Sequence, residues 1–252
     1  SSSSAASDVY KRQGQYHAWT EINVPQRPFE IENVDTVTVP LAQSGYTTEY
    51  LRYRITINDR PNETNYYRIV IDKQTTLWGY NHEEGGDDYI YWTKHSYNFI
   101  GREDVVLTDG QPTTGDDEDN GLFDTAKNIY GVFDDTRFRN TSYTMTVYNN
   151  TKIETGSDSG YFSGMDVIIR LMSITETEYY YLKALNLVDS DAYDETINEP
   201  IKYPSNVHGG TGMVGISTEV TQTIHIISSS HSKGNLAPPC LLYTSDAADE
   251  ED

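Results

Sequence analysis

The chain has 252 residues, with 39 Asp and Glu against 18 Lys and Arg, and its formal net charge is -21 at pH 7. Nucleic acid and simple adsorption to an anionic membrane are both disfavoured, because each partner requires a basic surface. No apolar run approaches the roughly 20 residues of a membrane-spanning helix. The 21 tyrosines, against 6 Phe and 3 Trp, favour half-buried strands, in which the ring packs and the hydroxyl meets water.

The two ends look foreign to the rest of the chain. Residues 3–13 read SSAASDVYKRQ, and residues 240–250 read CLLYTSDAADE. One oligonucleotide, read from its two opposite strands, encodes both segments. We therefore expect 1–13 and 240–252 to be adapter-derived tails, to be set aside in reasoning about the fold. The single cysteine, Cys240, lies in the second tail, so the residues between the tails offer neither a disulfide nor a thiol nucleophile.

Side chains that alternate between apolar and polar predict strands in chain order. The predicted strands are 17–24, 34–39, 50–58, 65–72, 142–148, 166–172 and 221–227. Turn residues after Asn58 predict that 50–58 and 65–72 form a hairpin. The segment 166–172 is apolar at nearly every position, which predicts a central strand buried on both faces.

The remaining elements are less regular, apart from one helix. Residues 78–130 contain acidic runs and an aromatic patch, and are predicted to be long surface loops that carry short strands. The helix is predicted near 175–188, because Thr175 and Glu178 make a capping box before an apolar stripe. That stripe consists of Tyr181, Leu182, Leu185 and Val188. The predicted fold class is mainly β: an antiparallel β-sandwich or flattened barrel with this one helix.

A glycine run resembles a nucleotide-binding pattern only in its spacing. Gly210, Gly212 and Gly215 match G-x-G-x-x-G, but that motif works by presenting a following helix to the pyrophosphate. The residues after Gly215 are β-branched and lack a helical period. We therefore expect a tight turn or bulge and no dinucleotide cofactor.

The second acidic run begins like a calcium loop. Asp116, Glu118 and Asn120 have the right spacing, but Lys127 stands where a bidentate Glu is required. An EF-hand is thereby excluded, while a looser Ca²⁺ site and a solvated acidic loop both remain open. The histidines show no metal-ligand spacing and no nucleophile elbow occurs. The sequence indicates no catalytic residue, and Ca²⁺ at this run is the one cofactor that stays open.

Five aromatic residues are the candidate ligand-binding residues. They are Trp78, Tyr80, Tyr89, Tyr91 and Trp92. Exposed aromatic faces stack on sugar rings, which makes these residues candidates for a carbohydrate platform. Core packing or anchoring of the loops is the interpretation that the residue types favour for the same five residues.

Several segments together resemble one family, the Bacteroidota domain-of-unknown-function family numbered 4249. They are NYYRI at 65–69, VFDDTRF at 132–138, SYT at 142–144, EYYYLKALN at 178–186, EP at 199–200 and SNVHGGTGMVG at 205–215. The resemblance implies a lipoprotein made with a signal peptide and a lipobox cysteine, and directed to the outer membrane. Members often begin with an immunoglobulin-like domain and are commonly encoded beside TonB-dependent transporters. The family assigns no catalytic residues.

This resemblance sets the expected domains and function. Residues 14–25 are expected to be the last strand of a truncated upstream immunoglobulin-like domain, and 26–239 the β-rich family domain. The expected function is that of a non-catalytic, lipid-anchored cell-surface protein that assists a TonB-dependent nutrient transporter by capturing glycan or peptide. It would touch the membrane only through an anchor outside this fragment. Two alternatives remain: a hydrolase or metal-dependent enzyme of the cell envelope, and a structural or adhesive surface module.

Overall fold

A computed structural model describes most of the chain. The described residues are 4–10, 17–43, 46–81, 88–99, 101, 104–110, 128–150, 161–189, 201–227 and 242–244. The strands within them are β1 (Ser4–Tyr10), β2 (His17–Asn23), β3 (Asn33–Gln43), β4 (Tyr46–Asn58), β5 (Tyr66–Asn81), β6 (Asp88–Ser96), β7 (Val132–Asp134), β8 (Ser142–Asn150), β9 (Tyr161–Ile174), β10 (Thr218–Ile227) and β11 (Leu242–Thr244). The helix is α1 (Glu176–Val188).

The described strands form antiparallel sheets. One sheet has the order β3-β4-β8, and a larger one has the order β11-β10-β9-β5-β6, with β7 also paired to β5. Strands β1 and β2 pair with each other. A mainly β fold with one helix and no closed barrel among these strands confirms the predicted fold class and is consistent with a β-sandwich.

The chain divides into two compact units. Unit 1 comprises 1–70, 99–150 and 171–220, and unit 2 comprises 71–98, 151–170 and 221–252. Strands β5, β9 and β10 therefore contribute residues to both units.

The core of unit 1 follows from alternation along β4 and β8. Tyr53, Ile55 and Ile57 are buried on β4, and Met145 and Val147 are buried on β8. The register places Tyr53 opposite Val147 and Ile55 opposite Met145, so that one face of the sheet is continuous and apolar. Such alternation is what the sequence predicted for both strands.

Aromatic rings extend this core to the neighbouring segments. Tyr67 of β5 lies 5.4 Å from Phe133 of β7, measured between ring centroids. Phe138 lies 5.4 Å from Tyr143 of β8 and 6.3 Å from Tyr67. These offset contacts add to the stabilisation from burial by about 0.5–1.5 kcal/mol for each pair.

The predicted hairpin of 50–58 with 65–72 is wrong. Strand β4 pairs with β3 and β8, whereas β5 belongs to the other sheet. The connection between them does not join two paired strands, and its polar groups bond to residues 135–140 instead. Asp59 accepts a hydrogen bond from the backbone N–H of Asn140 at 2.8 Å, and Asn65 donates its own N–H to Asp135 at 2.8 Å.

The prediction for 166–172 is half correct. Strand β9 is central, between β10 and β5, but it is buried on one face only. Val167 and Ile169 are buried, whereas Asp166, Ile168 and Arg170 remain partly exposed. Ile168 is apolar although it lies on the open face, and the resulting apolar run led to the prediction of burial on both faces.

Helix α1 begins where the sequence predicted. Thr175 is the N-cap, and its Oγ1 accepts a hydrogen bond from the N–H of Glu178 at 3.2 Å. The return half of the capping box does not form, because the Glu178 carboxylate accepts the backbone N–H of Ile216. The buried side of the helix also includes Tyr179, which the predicted stripe missed.

Strand β2 is held by a segment far along the chain. Trp19 exchanges backbone hydrogen bonds with His208, at 3.1 Å and 2.8 Å, and the two rings stack with centroids 4.1 Å apart. Thr20 is buried and donates its hydroxyl to the carbonyl of Asn206 at 2.6 Å. The assignment of 14–25 to an upstream domain, and of the two ends to adapter-derived tails, stays a prediction.

Candidate functional site

The aromatic residues predicted to bind a ligand belong to regular strands, not to long loops. Strand β5 continues to Asn81 and pairs with β6 from Lys73–Ser96 to Asn81–Asp88. The prediction of surface loops is therefore wrong for 78–81 and 88–96. The acidic, glycine-rich run near 83–88 suggested a break, and Gly79 interrupted the apolar pattern on which the strand assignment relied.

One face of this hairpin is buried and the other is open. Along β5, Ile71, Thr75 and Leu77 are buried, while Gln74, Thr76 and Trp78 are partly exposed. The open face, called the hairpin face below, consists of Gln74, Thr76 and Trp78 on β5, with Tyr91, Thr93 and His95 on β6. The register joins these residues in three cross-strand rows: Gln74 with His95, Thr76 with Thr93, and Trp78 with Tyr91.

The rows divide the predicted platform. Trp78 stands opposite Tyr91, which is 65% exposed. Trp92 stands opposite the fully buried Leu77 and therefore does not share a face with Trp78. Tyr80 pairs with Tyr89 two residues beyond the Trp78–Tyr91 row, and only the backbones of these two tyrosines are described.

A buried carboxylate, which sequence reasoning missed, organises the other end of the hairpin face. Asp72 is 3% exposed. Its Oδ2 accepts a hydrogen bond from Gln74 Nε2 at 2.7 Å, and its Oδ1 lies 3.0 Å from His95 Nδ1. The signal in the sequence was an acidic residue directly after the apolar stretch 69–71 of a strand, since buried carboxylates need hydrogen-bond donors.

Tyr97 lies beside this cluster. Its ring is stacked on His95 with centroids 6.1 Å apart and planes 20° apart, and the side chain is 56% exposed. Exposed aromatic rings therefore occur at both ends of the hairpin face, with hydroxyl, amide and imidazole groups between them. A hydrogen-bonding strip flanked by rings suits a ligand that has both apolar faces and polar edges.

A second Asp–His pair occurs on neighbouring strands of unit 2. His225 Nδ1 of β10 lies 2.8 Å from Asp166 Oδ1 of β9, and both side chains are partly exposed. The alternative of an enzyme predicts histidines and carboxylates that converge. Within the described part of the chain, no group of three or more His, Cys, Asp or Glu side chains is placed to hold a metal ion.

The predicted metal residues, Asp116, Glu118 and Asn120, lie outside the described residues. Calcium binding at this run stays a prediction. None of the described helices is long and apolar enough to cross a membrane.

Unit 1 contains a different arrangement, in which tyrosines donate to carboxylates. Five such hydrogen bonds occur among the described residues: Tyr66 to Glu176, Tyr67 to Asp59, Tyr130 to Asp189, Tyr143 to Asp104, and Tyr179 to Asp134. Burial and the neighbouring carboxylate raise the pKa of Tyr67, Tyr143 and Tyr179. These phenols thus stabilise the fold as neutral donors, which accounts for part of the high tyrosine content.

Three of the segments that carry the family resemblance meet within this arrangement. Asn65 of NYYRI bonds to Asp135 of VFDDTRF, and Tyr179 of EYYYLKALN bonds to Asp134 of the same segment. In SNVHGGTGMVG, Asn206 closes a loop by bonding to both the N–H and the carbonyl of Val214, at 2.9 Å and 2.7 Å. The glycine run therefore lies in a polar loop before β10, as the rejection of the nucleotide pattern required.

A cleft of about 350 Å³ lies beside the N-terminus of α1 in unit 1. It is lined by 23–26, 63–66 and 173–176. Tyr66 donates its hydroxyl to Glu176 at 2.9 Å inside this lining. Because Glu63 and Glu176 are acidic, the cleft opposes anions even though a helix N-terminus favours them.

These features define an antiparallel β protein with a tyrosine–carboxylate network and an exposed aromatic hairpin. The profile of one family, described as Domain of unknown function (DUF4249), matches residues 8–223. The chain belongs to this family. No curated protein matches the sequence significantly.

Proposed function

We propose that the chain is a non-catalytic capture module of the cell surface, and that its ligand lies on the hairpin face. The supporting observation is the cross-strand row of Trp78, which is partly exposed, and Tyr91, which is 65% exposed. A tyrosine that is 65% exposed on a strand gains little from packing. Exposed aromatic rings of this kind provide contact area at low conformational cost when a ligand stacks on them.

The cellular part of the proposal follows from the family resemblance. The module would be anchored by lipid to the outer membrane and would pass glycan or peptide to a TonB-dependent transporter. The charge of -21 supports a role away from nucleic acids. Surface labelling of cells that express the full-length gene, with cross-linking to neighbouring proteins, tests this part. Recovery of the protein in the cytoplasmic fraction contradicts it.

The binding part is tested with the purified chain on arrays of glycans and peptides. We expect saturable binding that Tyr91→Ala weakens by at least about tenfold, because the principal exposed ring is removed. Tyr180→Ala is the matched control, since Tyr180 is 49% exposed on α1 and lies outside the hairpin face. Equal loss in both variants, or unchanged binding in Tyr91→Ala, overturns the assignment of the site.

Tryptophan fluorescence gives an independent reading. The chain has 3 tryptophans, and only Trp78 belongs to the hairpin face. In a variant that carries Trp19→Phe and Trp92→Phe, ligand addition should still change the emission. A response that disappears with these two substitutions places the ligand elsewhere.

A further inference from the structure

We infer that the hairpin face selects neutral oligosaccharides through two hydrogen-bond acceptors, Gln74 Oε1 and His95 Nε2, whose orientation is set by Asp72. The inference deepens the proposed function and rests on it. It replaces the choice between glycan and peptide with one ligand class. It also assigns a role to Asp72, Gln74 and His95, which the predicted aromatic platform does not include.

Asp72 determines which atoms its two neighbours direct towards it. A carboxylate offers only acceptors, so each of its neighbours must turn a donor towards it. Gln74 therefore presents its Nε2 amide group, at 2.7 Å. His95 presents a protonated Nδ1, at 3.0 Å from Oδ1 and 3.2 Å from Oδ2.

The bonds to Asp72 also determine which polar atoms of Gln74 and His95 remain for a ligand. With its amide nitrogen on Asp72, Gln74 has its carbonyl Oε1 directed away from the carboxylate. When the His95 ring carries one proton, its bond to Asp72 holds that proton on Nδ1 and leaves the lone pair on Nε2. The His95 side chain is 43% exposed. The buried carboxylate thus fixes both an amide orientation and an imidazole tautomer, and both residues present acceptors.

The spacing of the cross-strand rows determines how long the ligand must be. Alternate residues of an antiparallel strand are about 7 Å apart, so the row of Gln74 and His95 lies roughly 14 Å from the row of Trp78 and Tyr91. The hydroxyls of Thr76 and Thr93 lie between them. A single sugar ring does not span these rows, whereas an oligosaccharide can stack on Tyr91 at one end and donate hydroxyls to the acceptors at the other.

The charge of the hairpin face and of the whole chain determines which class of ligand is favoured. Two outward acceptors above a buried carboxylate favour a ligand that brings donors, and they disfavour carboxylate or sulfate groups. The net charge of -21 acts in the same direction at longer range. Neutral, hydroxyl-rich glycans fulfil these conditions. Uronate polymers and acidic peptides do not.

The test uses the full chain with cellohexaose, mannohexaose and maltohexaose as neutral probes, and hexagalacturonate as the acidic probe. We expect at least one neutral probe to bind and the acidic probe to bind at least about tenfold more weakly. Tighter binding of hexagalacturonate overturns the inference. So does binding of array peptides in preference to every neutral probe.

Variants then separate this inference from the proposed function. Gln74→Ala and His95→Ala should each weaken binding of the neutral probe by about tenfold, because a ligand hydroxyl loses its acceptor. Tyr91→Ala should weaken it as well, and Tyr180→Ala should not. If Tyr91→Ala alone has an effect, the proposed site holds and the inference fails. If no neutral probe binds the unaltered chain, the inference fails, and array binding decides the proposed function separately.

The orientation by Asp72 has its own readout. Heteronuclear NMR of the His95 ring should show the proton on Nδ1 in the unaltered chain and a shift of the tautomer population in Asp72→Asn. Asp72→Asn should weaken binding as much as His95→Ala. If Asp72→Asn does not fold, Asp72→Glu is tested instead. Because this variant keeps a carboxylate, its loss of binding should be smaller than that of His95→Ala. An unaltered chain with the proton on Nε2 overturns the role of Asp72.

Discussion

Asp135 accepts two hydrogen bonds from Asn65, one from the backbone N–H at 2.8 Å and one from the side-chain amide at 3.1 Å. Asp135 is fully buried, and the same amide of Asn65 also lies 3.2 Å from Asp59. One neutral side chain therefore bridges two buried carboxylates. Arg139 supplies a cationic donor to Asp135 at 3.0 Å. The two buried carboxylates depend on these donors, which take the place of water.

Asn65→Ala should consequently destabilise the chain by about 3 kcal/mol, because both carboxylates lose a donor while remaining buried. Urea unfolding followed by circular dichroism measures the change. Asn33→Ala, at an exposed position of β3, is the control and should alter the free energy of unfolding by less than about 0.5 kcal/mol. Equal effects of the two substitutions would show that the bridge contributes nothing.

Tyr67 should make stability fall at alkaline pH. Burial, and then the charge of Asp59, raise its pKa above the ordinary value of about 10. A raised pKa means that the folded state holds the proton more tightly than the unfolded state. The stabilisation is therefore complete below about pH 10 and is lost as the pH rises beyond it.

Phenolate absorbance and unfolding at increasing pH measure this effect. The native chain should show fewer phenolates than the urea-unfolded chain at the same alkaline pH. Tyr67→Phe should cost about 1–3 kcal/mol near neutral pH, since Asp59 loses a donor. The same chemical change at the exposed Tyr91 is the control. A Tyr67→Phe variant as stable as Tyr91→Phe would contradict the prediction.

Glu178 should oppose folding once it is ionised. Burial raises the pKa of this carboxyl, with Arg68 acting in the opposite direction, and its buried Oε2 has no hydrogen-bond partner in the described part of the chain. Its contribution is favourable below the unfolded pKa of about 4.3 and is lost as the pH rises. Glu178→Gln keeps an acceptor for the Ile216 N–H without the charge.

We expect Glu178→Gln to be more stable than the unaltered chain at pH 7, by about 0.5 kcal/mol after allowance for solvent screening. The difference should shrink towards pH 4, where Glu178 is neutral in both states. Unfolding in urea at both pH values provides the measurement, with Glu63→Gln as the exposed control. If Glu178→Gln is less stable than the unaltered chain by the same amount at pH 7 and at pH 4, the charge of Glu178 does not oppose folding.

Thr175 should stabilise the fold only through its hydrogen bond as the N-cap of α1. Thr175→Ala removes the acceptor for the Glu178 N–H and should cost about 1 kcal/mol, whereas Thr175→Ser should cost much less. Thr177→Ala within α1 is the control, because alanine has the higher helix propensity there. Thermal unfolding distinguishes them. Similar losses at 175 and 177 would mean that the hydroxyl at 175 has no capping role.

Local periodicity was sufficient to predict several elements. Alternation identified β4 and β8 with the correct inward residues, Ile55 and Met145 among them. The cap residue Thr175 located the start of α1. Each of these signals lies within a few residues of the element that it describes, which is the range over which sequence patterns are informative.

Pairing between distant segments was beyond that range. The turn residues after Asn58 suggested a hairpin, but the buried bonds of Asp59 and Asn65 carry the chain to another sheet. The partner of Asp72 is His95, 23 residues further on. Until the register of β5 with β6 was known, neither that pair nor the separation of Trp92 from Trp78 was visible in the sequence.

The contact between β2 and the segment around His208 has a consequence for biosynthesis. Thr20 and its acceptor Asn206 are 186 residues apart, so a growing polypeptide exposes β2 on the ribosome long before its partner has been translated. Loop closure over that distance is slow, and an unsatisfied strand edge invites pairing with other chains in the interval. Completion of unit 1 therefore waits until the segment around His208 has been translated, and chaperones that shield nascent strands have most to protect at β2.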